Sequence, residues 1–270
     1  MPDNETSNAK ERLHIRISHN DLSFAVTDRQ NINQVAYEHY PIRSGIAMAA
    51  NLREAFKDSE LLNRGYQRAL ALIDSPVMLI PIQEFNEDEM EIMYHHTITG
   101  MEGNLVLYQV LPNLNVVAVF CINKDLKLVI DEHFKDVKYF PITHPVWSYL
   151  HRRSFTGVRK KLYAYFHDKR MELFSFDKNR FKFCNSYATD QAHDAVYFLL
   201  YAWQQLGYDV QHDEIYLAGD IPEKDWMMEA LHHYVQKVYA LNAVTEFNHA
   251  PFTNYKEMPF DLQAIFTENK

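Results

Sequence analysis

The stretch KLYAYFHDKRMELFSFDKNRFKFCNSY, residues 161–187, decides the architecture. Lys161 to Phe166 is strand-like, Arg170 to Phe176 alternates apolar and polar residues, and Arg180 to Tyr187 alternates again. The turn formers His167, Asp168, Asp177 and Asn179 separate these runs, so the pattern predicts three meandering antiparallel strands. A helix follows from Asp190 to Leu206, with Val196, Leu199, Leu200, Trp203 and Leu206 at helical spacing. Thr189 or Asp190 fits its N-cap, and Gly207 fits its C-terminal stop. Glu214 to Gly219 then reads as a strand, and Pro222 opens a helix expected to reach about Tyr239. From Val244 onward the pattern is weak.

The first half repeats this order. Leu13 to Ile17 and Leu22 to Val26 alternate around the turn formers His19, Asn20 and Asp21. A third strand is expected over Gln34 to Ile42, and Ile46 to Phe56 carries apolar residues at a helical period. Ala69 to Ile73 and Val77 to Ile82 read as buried strands, and Glu84 to Met93 as an exposed acidic helix. Leu105 to Leu111 and Val116 to Ile122 form an apolar pair. A helix over Asp125 to Phe134, a strand over Val137 to Ile142 and a helix from Thr143 follow. Two copies of one strand–strand–strand–helix–strand–helix unit imply an internal duplication. The expected division is a polar leader at 1–10, a first lobe at 11–152 and a second lobe with a C-terminal tail at 153–270.

Composition narrows the function. The chain has 27 basic and 36 acidic residues, a net charge of -9, so nucleic acid and anionic surfaces are poor default partners. The basic run Arg152, Arg153, Arg159, Lys160 and Lys161 reads as a solvated linker. No apolar stretch approaches the roughly 20 residues of a membrane span. Met1 to Lys10 is too polar for a signal peptide, and Cys121 and Cys184 sit in strand-like runs. Both thiols therefore read as core residues of a cytoplasmic protein. Only 7 glycines occur, scattered through the chain, and neither Gly-x-x-x-x-Gly-Lys nor Gly-x-Gly-x-x-Gly is present.

Two such units resemble the ribonuclease-H-like lobes of the actin, Hsp70 and sugar-kinase superfamily. The run Val116-Val117-Ala118-Val119-Phe120-Cys121-Ile122, a helix, and then Tyr139-Phe140-Pro141-Ile142 is similar to the bacterial cell-division and pilus-assembly branch. The whole chain resembles a bacterial family of that fold described as a domain of unknown function. The resemblance implies an α/β actin-like ATPase fold, its two lobes built of mixed sheets flanked by helices. It also implies an Asp at the position of Arg16, and Gly and Thr at Ser18 and His19. In the second lobe it implies an Asp at Tyr165 and glycines at His167, Asp168 and Lys169. Only Leu217-Ala218-Gly219-Asp220 keeps part of the adenosine-loop pattern. Hard cations need carboxylate oxygens, which Arg16 lacks, although a guanidinium can meet a phosphate directly.

Other chemistry is thin. His95-His96 and His232-His233 put adjacent side chains on different faces, so neither pair chelates a metal. No Gly-x-Ser-x-Gly elbow exists, and Arg16 argues against a carboxylate nuclease. Tyr197, Tyr201, Trp203 and Tyr208 read as core packing, with an interface as the sharper alternative. The expectation is a non-catalytic scaffold or regulatory adaptor with a protein partner, no metal and no cofactor. The competing reading is an ATP-binding protein or ATPase with a divergent interlobe site for ATP and Mg²⁺. There, Arg16, Ser18, His19, His167 and Lys169 approach the phosphates, and Gly219 and Asp220 the nucleoside.

Overall fold

A computed structural model of the chain describes residues 11–28 and 30–267, and the expected leader at 1–10 lies outside them. The chain divides into two units by its internal packing. One runs up to His144 and includes Ala250–Met258; the other holds Pro145–His249 and the chain from Pro259 onward.

The first unit holds strands β1 (Arg12–Ile17), β2 (Asp21–Thr27), β3 (Val35–Pro41), β4 (Arg68–Ile73), β5 (Met78–Pro81), β6 (Leu105–Leu111), β7 (Val116–Ile122) and β8 (Asp136–Pro141). Its helices are α1 (Met48–Asp58), α2 (Met90–Thr97) and α3 (Lys124–His133). Five strands form a mixed sheet in the order β3-β2-β1-β4-β8, antiparallel from β3 to β1 and parallel from β1 to β8. Leu13, Ile15 and Ile17 alternate onto the face that packs with Leu52 and Phe56 of α1 and Val129 and Ile130 of α3. A second, antiparallel sheet runs β5-β7-β6. Every residue of β7 is buried. Phe120 and Ile122 join the first core, while Val117, Val119 and Cys121 join a second one around Tyr94 of α2. This two-sided burial is why Val116 to Ile122 is apolar throughout, where a half-exposed strand would alternate.

The second unit carries α4 (His144–Ser154), β9 (Lys161–His167), β10 (Arg170–Asp177), β11 (Arg180–Ala188), α5 (Ala192–Gln205), β12 (Glu214–Gly219), α6 (Lys224–His232), β13 (Val238–Ala240), α7 (Ala243–Glu246) and α8 (Phe260–Ile265). Its sheet order, β11-β10-β9-β12-β13, repeats that of the first unit with the same strand directions. Leu162, Ala164 and Phe166 pack with Leu199 and Trp203 of α5 and Met227 and Leu231 of α6. On the opposite face Phe174, Tyr163, Tyr216 and Tyr239 lie in register across four strands. Their successive ring centroids are 5.6, 5.5 and 5.2 Å apart.

Several expectations change in detail. The helix from Pro222 stops at His232, and Val238 instead pairs β13 onto β12. Gln191 occupies the N-cap of α5, without a side-chain bond, in place of Thr189 or Asp190. Gly207 does follow α5 in the left-handed conformation, with Tyr208 N donating to Trp203 O at 3.2 Å. The aromatic stretch splits, since Trp203 and Tyr208 are buried while Tyr197 and Tyr201 are exposed. The basic run is not a uniformly solvated linker: Lys161 is buried and Arg153 pairs with Glu246. By packing, α4 belongs with the second unit, its Trp147 set edge-on to Phe181 at 5.3 Å. Cys121 and Cys184 are unpaired, and no helix among the described residues is long and apolar enough to cross a membrane.

His14 gives the first unit a pH dependence. Burial, with Arg12 adding to it, lowers its imidazole to about 4. The unfolded chain therefore binds this proton below about pH 6.5, while the folded chain refuses it until about pH 4. Stability from this residue is complete above the unfolded value and falls as the pH drops toward the folded one. His14→Leu should shrink the loss of unfolding free energy between pH 7 and pH 4.5 by about 2.5 kcal/mol. Urea titrations at both pH values read this directly, and parallel losses in the two proteins would disprove it.

Candidate functional site

The β1–β2 hairpin brings Arg16 and Ser18 together around one carboxylate, that of Asp21. Arg16 Nη1 donates to Asp21 Oδ1 at 2.6 Å, and Ser18 Oγ donates to the same oxygen. Ser23 Oγ donates to Asp21 Oδ2 at 2.8 Å, and His39 Nδ1 lies 3.4 Å from it. Arg16 is only 3% exposed. Its charge is thus matched inside its own hairpin, and both Asp21 oxygens are engaged. His19 sits at the rim, with Nδ1 3.4 Å from Asp74 Oδ2.

The second unit brings His167, Lys169, Gly219 and Asp220 together at the ends of β9 and β12. The β9–β10 turn uses two non-glycine residues at positive φ, Asp168 at 44° and Lys169 at 59°. Such a turn closes a tight hairpin, with Arg170 opposite His167. The His167 ring is buried and stacks on Tyr165 at 5.0 Å. Tyr165 donates its hydroxyl to Asp261 Oδ2 at 2.7 Å. Gly219 pairs with Phe166, and the Asp220 N–H donates to Phe166 O at 2.9 Å. A Cβ on Gly219 would stand 2.1 Å from Phe166 O and 2.8 Å from the Tyr165 ring. The glycine of Leu217-Ala218-Gly219-Asp220 is therefore required by strand packing within its own unit.

The first unit also contains a cavity of about 370 Å³ that the sequence did not reveal. It opens beyond the C-terminal ends of the parallel strands β1 and β4, at Ile17 and Ile73, where α/β sheets commonly take ligands. Met48 of α1, Ile122 of β7, Leu126 of α3 and Met101 before β6 complete an apolar wall. Much of the polar lining is already engaged. Asn51 Oδ1 accepts from Arg43 N at 2.7 Å, and its amide donates to Arg43 O and Ile46 O. Asn123 caps α3, accepting from Asp125 N and Leu126 N. Ser75 Oγ accepts from Cys121 N at 3.3 Å. Among the lining residues Asp74 alone has an acidic or fully basic side chain. Its side chain is buried and faces His19, so the cavity offers mainly apolar surface, which disfavours phosphate and suits an aliphatic group. Its walls come from segments far apart in sequence, and only the two-sided apolar run of β7 hinted that two layers meet there.

Comparison with known proteins identifies the fold. The profile of the family described as "Protein of unknown function (DUF3822)" matches residues 2–238. A structure from Bacteroides thetaiotaomicron VPI-5482, a protein with actin-like ATPase fold and unknown function, is 26% identical. That match covers 99% of each chain with a TM-score of 0.83. A PilM-PilN type IV pilus biogenesis complex matches at 10% identity, covering 96% of this chain and 98% of that one, with a TM-score of 0.56. No curated protein matches the sequence. The fold is that of the actin-like ATPases.

Proposed function

From the chain's membership of the DUF3822 family of proteins of unknown function, to which it belongs, we propose that it is a non-catalytic actin-like scaffold of the cytoplasm. Its task in this reading is to hold a protein partner, whose apolar side chain enters the cavity of the first unit. One observation carries the non-catalytic part. At both positions where the actin-like resemblance calls for a metal-binding carboxylate, the side chain is bound to a carboxylate of its own unit. These pairs are Arg16 with Asp21 at 2.6 Å and Tyr165 with Asp261 at 2.7 Å. A cation or phosphate would have to break each contact, at the cost of an unpaired buried group. The relative whose name records a PilM-PilN complex supports a partner-holding use of the fold. Two unpaired cysteines support a reducing compartment.

A thermal shift with millimolar ATP or ADP, with and without Mg²⁺, tests this. The expected result is an unchanged midpoint. Nucleotide at about 100 times its dissociation constant would add roughly 2.7 kcal/mol, a rise of several degrees. A Mg²⁺-dependent rise that Asp220→Arg removes would overturn the scaffold reading in favour of the ATP-binding one.

A further inference from the structure

The segment joining α4 to β9 sets two large apolar side chains in water. Phe155 is 59% exposed and Val158 completely so. The segment is nonetheless pinned at its base. Lys161 Nζ donates to the carbonyls of Arg153, Ser154 and Thr156, and Thr156 Oγ1 donates to Arg153 O at 2.7 Å. Lys160 N donates to Asp213 Oδ1 at 3.0 Å. The apolar tip is thus held out by its own hydrogen bonds.

Exposed cations from three elements gather around it. Lys160 follows the tip in sequence. Lys160 and Lys182 of β11 share the Tyr208 ring, at 5.4 and 4.7 Å from its centroid. The β10–β11 turn that carries Lys178 is tied to α4 by His151 Nε2 and Lys178 O at 2.9 Å, and the His151 ring packs edge-on to Phe155 at 4.8 Å. The nearby acids are engaged: Asp177 with Arg180, Glu214 with Arg159, and Asp213 with the backbone of Lys160 and Asp209. In a chain of net charge -9 this end of the second unit is a positive island with an apolar summit.

We propose that this segment docks the protein on an anionic lipid surface. Phe155 and Val158 enter the boundary between headgroups and acyl chains, while Lys160, Lys178 and Lys182 meet the headgroup phosphates. Charge complementarity selects an anionic partner, and the exposed apolar pair selects a lipid one. Nucleic acid would engage the cations and leave Val158 in water. The acidic remainder of the chain does not forbid such contact, because salt screens charges more than about 10 Å away.

Sedimentation of the full chain with vesicles of phosphatidylglycerol and phosphatidylcholine, against phosphatidylcholine alone, tests the proposal. Binding is expected to the anionic vesicles only. Phe155→Ser with Val158→Ser should weaken it about tenfold or more, and Val158→Ser alone should weaken it without changing the melting midpoint, since Val158 is fully exposed. Each of Lys160→Gln and Lys182→Gln should weaken it roughly fivefold. Equal binding to both vesicle types, or no binding at low salt, would overturn the proposal. So would a serine double variant that binds as well as the original while the glutamine variants do not, since that marks a general polyanion site. Nucleotide thermal shifts do not bear on this surface, so it stands or falls apart from the scaffold reading.

Discussion

Alanine at position 219 is expected to lower the unfolding free energy by about 3 kcal/mol. Two causes add. Gly219 has φ +83°, a conformation that strains any residue with a Cβ. The new methyl would also press on Phe166 O from 2.1 Å and on the Tyr165 ring from 2.8 Å. The carbonyl belongs to a paired central strand, and the ring is held by Asp261, so neither yields readily. Gly157 provides the control, because at φ +82° it has nothing within 4 Å of the same methyl. Gly157→Ala should cost only the strain, about 1 kcal/mol. Urea midpoints of the two variants separate the causes, and equal losses would show that the β9–β12 contact relaxes freely.

Lys161→Met is the second large effect, expected at about 3 kcal/mol. The ammonium serves the last carbonyls of α4, which have no partner within the helix. Methionine fills much of the same volume and offers no donor, so the carbonyls of Ser154 and Thr156 would be left to find water, while Arg153 O keeps Thr156 as its donor. Chemical denaturation measures the loss. A change below about 1 kcal/mol would mean that solvent already serves these carbonyls. Vesicle binding should weaken in the same variant, because the base that presents Phe155 and Val158 is undone.

The duplicated architecture was legible because each half carries its own alternation and turn formers in three successive strands. Gly207 ends α5 as its position suggested, since a Schellman stop is a local matter of one left-handed residue. What was not legible depended on distant partners. The helix read through to Tyr239 breaks because Val238 gains a parallel partner in Ile215, which no local propensity records. Lys161 looked solvated in its basic run, and yet it is buried with its ammonium on the carbonyls that end α4. The substitution of Arg16 and Tyr165 for carboxylates was visible in sequence. That each instead binds a carboxylate of its own unit was not, because Asp261 lies far along the chain from Tyr165. The cavity was hidden for the same reason.

The return of Ala250–Met258 to the first unit bears on how the chain is made. Tyr255 donates to Val35 O at 3.1 Å, Tyr37 donates to Glu257 O at 3.1 Å, and Asn254 reaches Asn33. These contacts close over β3 and its preceding turn, yet they are encoded about a hundred residues after the rest of that unit. At ordinary rates of translation, β3 leaves the ribosome roughly ten to forty seconds before the residues that cover it. For that interval a nascent chain carries a bare outer strand, open to pairing with a neighbouring copy on the same messenger.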